Sequence, residues 1–213
     1  MIKDNYTRIK EKIGDAATLI AVTKYHTAEQ AVEAYEAGVR HFGENRPEGF
    51  LEKKKALPED AIVHFIGTLQ SRKVKQIIDD MHYLHSLDRE SVAKKIEQYS
   101  EHTVKCFIQV NVSGEDSKHG LTPEEVPEFL ERLSKYKKVE VIGLMTMAPN
   151  TDDRSLISDV FRKLSELKDE LAENNHDNIQ IKELSMGMSN DYDVALEYGA
   201  TFVRVGSKIM GSR

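Results

Sequence analysis

The sequence predicts a single closed (β/α)8 TIM barrel. Eight short apolar runs rich in β-branched residues recur along the chain, and helical apolar spacing fills the intervals between them. No Pro/Gly/Ser linker or low-complexity tract interrupts them, so residues 1–213 read as one domain. Strands that alternate with helices pair in parallel through right-handed crossovers. Eight is the strand number of the closed barrel. A doubly wound open sheet is the rival arrangement.

The strands are expected at residues 19–22, 39–42, 62–66, 82–85, 104–112, 139–144, 179–184 and 201–205. Between the first two, Ala28, Ala31, Val32 and Tyr35 fall at helical spacing, and Gly38 sits at the helix C′ position. Val74, Ile77 and Ile78 follow Ser71; Val92, Ala93, Ile96 and Tyr99 follow Asp88. Thr122-Pro123-Glu124-Glu125 reads as a capping box with proline at N1, ahead of Val126, Phe129, Leu130 and Leu133. Leu156, Val160, Leu164, Leu167 and Leu171 mark the longest helix, and Val194 and Tyr198 the last, ended by Gly199. The run Lys53-Lys54-Lys55 lies on an expected helix end and reads as a solvated face.

Composition narrows the class of function. The 30 Lys and Arg against 36 Asp and Glu leave a net charge of −6, without the basic face that nucleic acid requires. No apolar stretch approaches the ~20 residues of a membrane span, and the N-terminal residues lack the apolar core of a signal peptide. Cys106 is the only cysteine, which fits a reducing cytoplasm.

In such a barrel the chemistry sits at the C-terminal strand ends. Lys24 follows an apolar run directly, so partial desolvation would leave some of its amine neutral and able to condense with an aldehyde. The alternative is a lysine snorkelling into water. Gly187-Met188-Ser189-Asn190 and Val205-Gly206-Ser207 follow the seventh and eighth strands, the usual phosphate site of this barrel. Simple helix N-caps are the alternative there. Arg204 stands inside an apolar run and needs an acceptor: a carboxylate such as Glu44, or a ligand.

Lys24, the serine after strand seven and the Arg-x-Gly-Ser pattern after strand eight together resemble the fold-type III pyridoxal 5′-phosphate (PLP) site of the alanine racemase barrel. Further blocks narrow the likeness: Ala21-Val22-Thr23-Lys24, Phe42-Gly43-Glu44-Asn45, the stretch from His64 to Lys73, Gly143-Leu144-Met145, Ser117-Lys118-His119-Gly120, Ser185-Met186-Gly187-Met188-Ser189 and Val203-Arg204-Val205-Gly206-Ser207. In this order they resemble the pyridoxal phosphate homeostasis protein family.

That resemblance implies the roles. Lys24 matches the lysine that holds PLP as an internal aldimine. Ser189, Gly206 and Ser207 match the phosphate cradle, and Arg204 matches the arginine that faces the pyridine nitrogen. Asn45 and Met188 match residues lining the pocket. His64 lies on a matching strand, and Lys118 falls in a loop after strand five, where a solvated lysine is the favoured reading over a second PLP contact. The sequence departs from the family pattern at Thr23, Ser207 and Asn190, and it lacks the proline often found just after the lysine; no needed chemical group is lost.

An arginine at the ring nitrogen opposes its protonation and weakens PLP as an electron sink. The chain given also ends at Arg213, without the β domain that completes a racemase. The expectation is a cytoplasmic, monomeric PLP-binding protein that buffers or delivers PLP, with apo PLP-dependent enzymes as partners and effects on amino-acid and keto-acid balance. A PLP-dependent racemase with Lys24 as base is the alternative, and a Schiff-base aldolase without PLP is a third reading.

Overall fold

In the computed structural model, which describes residues 1–116, 119–174 and 176–212, eight parallel strands close into a barrel in chain order. The strands are β1 (Thr18–Val22), β2 (His41–Glu44), β3 (Ile62–Phe65), β4 (Tyr83–Leu87), β5 (Val104–Gln109), β6 (Val139–Met145), β7 (Ile179–Ser185) and β8 (Phe202–Val205). The helices are α1 (Ile2–Ile13), α2 (Ala28–Glu36), α3 (Pro47–Ala56), α4 (Val74–Ile77), α5 (Glu90–Tyr99), α6 (Val126–Leu133), α7 (Arg154–Glu170), α8 (Tyr192–Glu197) and α9 (Ser207–Met210). Pairing of β1 with β8, Leu19 beside Val203 and Ile20 beside Arg204, seals the ring. The open sheet is thereby excluded.

Two apolar layers form. The larger one lies between strands and helices and takes in Ala21, Phe42, Phe50, Phe65, Leu84, Ile96, Val141 and Phe161. The smaller one fills the barrel interior with Ile20, Phe107, Met145 and Phe202. Aromatic and imidazole rings replace the branched aliphatics usual there: His85 stacks on Phe107 at 4.3 Å between centroids, and Phe107 meets Phe202 edge-on at 5.2 Å. Gly143 allows β6 to lie close to β7, because a Cβ there would fall 2.0 Å from the Glu183 carbonyl oxygen.

Several elements differ from expectation. The second strand starts two residues late. Gly38, at φ 118, reverses the chain and the Val39 amide donates to the Ala34 carbonyl at 3.1 Å, so Val39 completes the end of α2. Gly43 and Glu44 then become strand. The fifth strand ends at Gln109, with Val110 paired to Leu121 by a single bridge. The first helix is not anticipated by the run-based reading; α1 buries Ile2, Ile9 and Ile13 on a stripe seven and then four residues apart. The box at Thr122 forms, its amide donating to the Glu125 carboxylate at 2.9 Å, although that first turn is a 3-10 helix. Lys53 corrects the reading of the lysine run. It is 2% exposed and turned inward, paired with Glu44 at 3.3 Å.

Candidate functional site

Lys24 occupies the turn that follows β1 and is half-buried. Its neighbours across the barrel mouth come from the last two βα loops. A cavity of about 470 Å³ takes in Lys24, Met188, Ser189, Arg204, Gly206 and Ser207. Six of the seven residues expected to hold the cofactor therefore share one space. Somewhat larger hollows exist elsewhere, one of about 570 Å³ at the opposite barrel mouth beside His41 and Glu183. Size does not decide between them, since the cavity at the C-terminal strand ends is the one that holds Lys24 with a buried guanidinium.

Arg204 points inward from β8 and is 3% exposed. One terminal nitrogen, Nη2, donates to the Thr146 carbonyl at 3.0 Å. Its Nε is buried and has no hydrogen-bond partner among the described residues. Burial pushes the guanidinium pKa down to about 10, against the opposing pull of Asp191. The group stays charged near neutrality with its buried Nε donor unused. Glu44, the carboxylate weighed as its partner, is taken by Thr23 and Lys53 instead.

The loop after β7 is built by its own backbone. Gly187 has φ 103, and a Cβ there would lie 2.8 Å from the Ala195 Cβ. The Asp191 and Tyr192 amides donate to the Met188 carbonyl at 3.1 and 2.9 Å. In return, the Met188 amide donates to the Asp191 carboxylate at 2.7 Å. Burial raises the Asp191 pKa, opposed by that amide and by Arg204. Arg154, at the start of α7, pins the loop from outside by donating to the Asn190 carbonyl at 3.1 Å. Ser189 is thus presented at the cavity wall. Opposite it, Ser207 opens the four-residue α9, where the Ile209 and Met210 amides donate to the Gly206 carbonyl at 3.0 and 2.9 Å and the helix itself offers no acceptor to the Ser207 and Lys208 amides.

The remaining expectations fall elsewhere. Asn45 follows β2 directly and packs on Gly67, where a Cβ would come within 2.6 Å of the Asn45 Cβ. It is not among the described residues that line the cavity. His64 lies in the barrel interior, hydrogen-bonded to His41 and His85. Lys118 lies outside the described residues. The sequence reading gave no role to Asp191 or to Thr146, which it placed only at the end of the sixth strand. Asp191 carried a local signal, an acidic side chain three residues after Met188 and able to cap its amide. Thr146 carried none, because it acts through its carbonyl.

Fold and site together define a barrel of the alanine racemase type, with a lysine behind the first strand, an arginine in the eighth and two hydroxyl-bearing loops between them. The family model for the alanine racemase N-terminal domain matches residues 1–213. The pyridoxal phosphate homeostasis protein of Aquifex aeolicus is 40% identical over 203 residues, 93% of this chain and 88% of that one. The structure of PipY from Synechococcus elongatus PCC7942 with PLP bound superposes with a TM-score of 0.91 at 31% identity, covering 99% of this chain and 100% of that one. Alanine racemase from Clostridium difficile 630 shares the fold at TM-score 0.76 and 15% identity; 98% of this chain matches 56% of that one. The chain belongs to the pyridoxal phosphate homeostasis protein family.

Proposed function

We propose that this chain binds PLP at the Lys24 cavity and serves PLP homeostasis, by buffering or delivering the cofactor. The carrying observation is the unused, buried Nε donor of Arg204 in the same space as the Lys24 amine. Such a donor needs an acceptor from a ligand. An unprotonated ring nitrogen supplies one, whereas a second cation would be repelled.

Bound PLP supplies an aldehyde that condenses reversibly with a primary amine. Lys24 provides that amine. Ser189 and Ser207 would donate hydroxyl hydrogen bonds to the phosphate, joined by the Ser207 and Lys208 backbone amides beside them. Arg204 orients the ring and opposes protonation of its nitrogen, which restrains carbanion chemistry. Met188, 40% exposed at the cavity rim, would border the bound cofactor. Asn45, which packs on Gly67 outside the cavity lining, is kept as a cofactor contact only on the family resemblance. The names of the relatives and the PLP in PipY support this reading over the racemase alternative.

The setting we assign is a monomer in the cytoplasm that hands PLP to apo PLP-dependent enzymes. The buried, lone Cys106 supports a reducing compartment. Among the described residues no helix is long and apolar enough to cross a membrane.

Hydride reduction of the PLP-loaded protein followed by peptide mapping tests the site. Label is expected on the peptide carrying Lys24, and Lys24→Ala should lose both the label and the yellow colour. Unchanged colour and trapping in Lys24→Ala would refute the assignment. Transfer to an apo-enzyme in the presence of a PLP scavenger tests delivery. Transfer no faster than free dissociation would leave buffering alone.

A further inference from the structure

Residues 23–26 form a tight turn, closed by the His26 amide donating to the Thr23 carbonyl at 3.0 Å. Lys24 is its second residue and Tyr25 its third. Tyr25 has φ 72 and is the only non-glycine residue with positive φ among the described residues. Turns of this form ordinarily use glycine at that position. A tyrosine there is strained, and such strain persists only where the surroundings over-determine it.

The surroundings do so from both ends. At the near end, the Thr23 amide donates to the Gly43 carbonyl at 3.0 Å, and the Thr23 hydroxyl donates to Glu44 Oε2. Glu44 is in turn held by Lys53 Nζ at 3.3 Å, each side chain 3% exposed. The other oxygen of Glu44 is pressed on α3, where a Cβ at Gly49 would lie 2.4 Å away. At the far end, Thr27 and Gln30 form a reciprocal capping box that starts α2. The turn has no slack. A buried ion pair is a poor source of net stability, so the Glu44–Lys53 pair calls for another explanation. It lies one hydrogen bond from the residue before Lys24. The Tyr25 ring centroid lies 5.6 Å from Lys24 Nζ, so the ring flanks the amine at the cavity rim.

We propose that Tyr25, together with the buried clamp Thr23–Glu44–Lys53, positions Lys24, holding its amine toward the cavity in a strained turn. The inference rests on the assignment of Lys24 as the PLP-bearing residue. Strain and clamp act as a pair. The clamp fixes where the turn begins, and the left-handed residue fixes its direction.

The experiment compares Tyr25→Gly, Tyr25→Asn, Thr23→Val and Thr23→Ser in two measurements: the thermal midpoint of the PLP-free protein, and the rate at which the loaded protein releases PLP to a scavenger. Tyr25→Gly should raise the midpoint by roughly 2–4 °C as strain is relieved, while release accelerates about tenfold as the lysine loses its orientation. Asparagine tolerates the left-handed region but lacks the ring. Tyr25→Asn should therefore fall between wild type and Tyr25→Gly in release. Thr23→Val should accelerate release, and Thr23→Ser, which keeps the hydroxyl, should restore it. Wild-type release in both Tyr25→Gly and Thr23→Val overturns the proposal. So does faster release from Tyr25→Gly with a lowered midpoint, since that marks a weakened fold. Should Thr23→Val fail to fold, the opposed signs in Tyr25→Gly decide the question alone. Wild-type protein that binds no PLP would instead refute the parent reading and is distinguished by the unmutated control.

Discussion

His85 Nδ1 lies 2.7 Å from the Ser185 hydroxyl, although the two residues are 100 positions apart in the chain. The contact ends a line of imidazoles through the barrel. His41 Nδ1 meets His64 Nε2 at 2.9 Å, and His64 Nδ1 meets His85 Nε2 at 2.9 Å. One proton per ring satisfies every link, and the tautomers can all point either way. Burial holds the His64 and His85 pKa values well below the usual imidazole range, and the neighbouring imidazoles and Arg204 add to it.

Acid should therefore unfold the protein through these rings. Their folded pKa values lie below the unfolded value of about 6.5, so the unfolded chain binds more protons below that pH. Stability is complete above about pH 6.5 and is lost as pH falls beneath it. Each ring adds a slope of up to about 1.4 kcal/mol per pH unit. Denaturant midpoints taken from about pH 7.5 down to about pH 5 measure this. His85→Gln should reduce the slope by about one ring's share; a flat profile in the wild type would count against the neutral line.

Removing Arg204 should separate binding from folding. Its guanidinium is desolvated and contacts one carbonyl, so Arg204→Met relieves a buried charge. The PLP-free protein is expected to keep its stability to within about 1 kcal/mol or gain slightly. Its PLP affinity should fall at least about tenfold, the loss of a charge-assisted hydrogen bond. Calorimetric unfolding and absorbance titration read the two effects separately.

The phosphate cradle predicts a ligand-dependent loss. Ser189→Ala and Ser207→Ala should each weaken PLP binding about tenfold, from about 1.5 kcal/mol per hydrogen bond to a charged group. Pyridoxal, which lacks the phosphate, should bind these variants as it binds the wild type. An equal loss for both ligands would remove the serines from the cradle.

Breaking the buried pair on one side should be costly. Lys53→Met leaves Glu44 without its cation in a site where both side chains are 3% exposed. A loss of about 3–5 kcal/mol is expected, with substantial recovery in Lys53→Met/Glu44→Leu. Urea unfolding of the two variants and the wild type measures it. A single variant as stable as wild type would mean that Glu44 is held by Thr23 alone.

The barrel was legible because strand and helix write different periods into the chain, and because Gly38 and Gly199 do end α2 and α8 with φ 118 and 90. Lys24 and Arg204 were legible as charges set against apolar runs, which physics tolerates only with a partner or a task. The pairing of Arg204 was not, since barrel register decides which strand ends face each other, and it gave Glu44 to Lys53. Lys53 itself was hidden in a lysine run of which it is the buried member. The histidine line was equally hidden. A period of two places a side chain on one face of a strand without saying which face is the barrel interior. The helix α1 escaped notice because three isoleucines among charged residues make a thin stripe.

The side-chain amide of Asn5, in α1, donates to the Ile209 carbonyl of α9 at 3.2 Å, tying together elements 204 residues apart. That same short helix opens with Ser207 at the cavity wall. The first and last helices are therefore fastened two residues beyond the Ser207 that lines the cavity. The opening helix thus reaches, through one hydrogen bond, the backbone of the short element that lines the cavity at the other end of the chain.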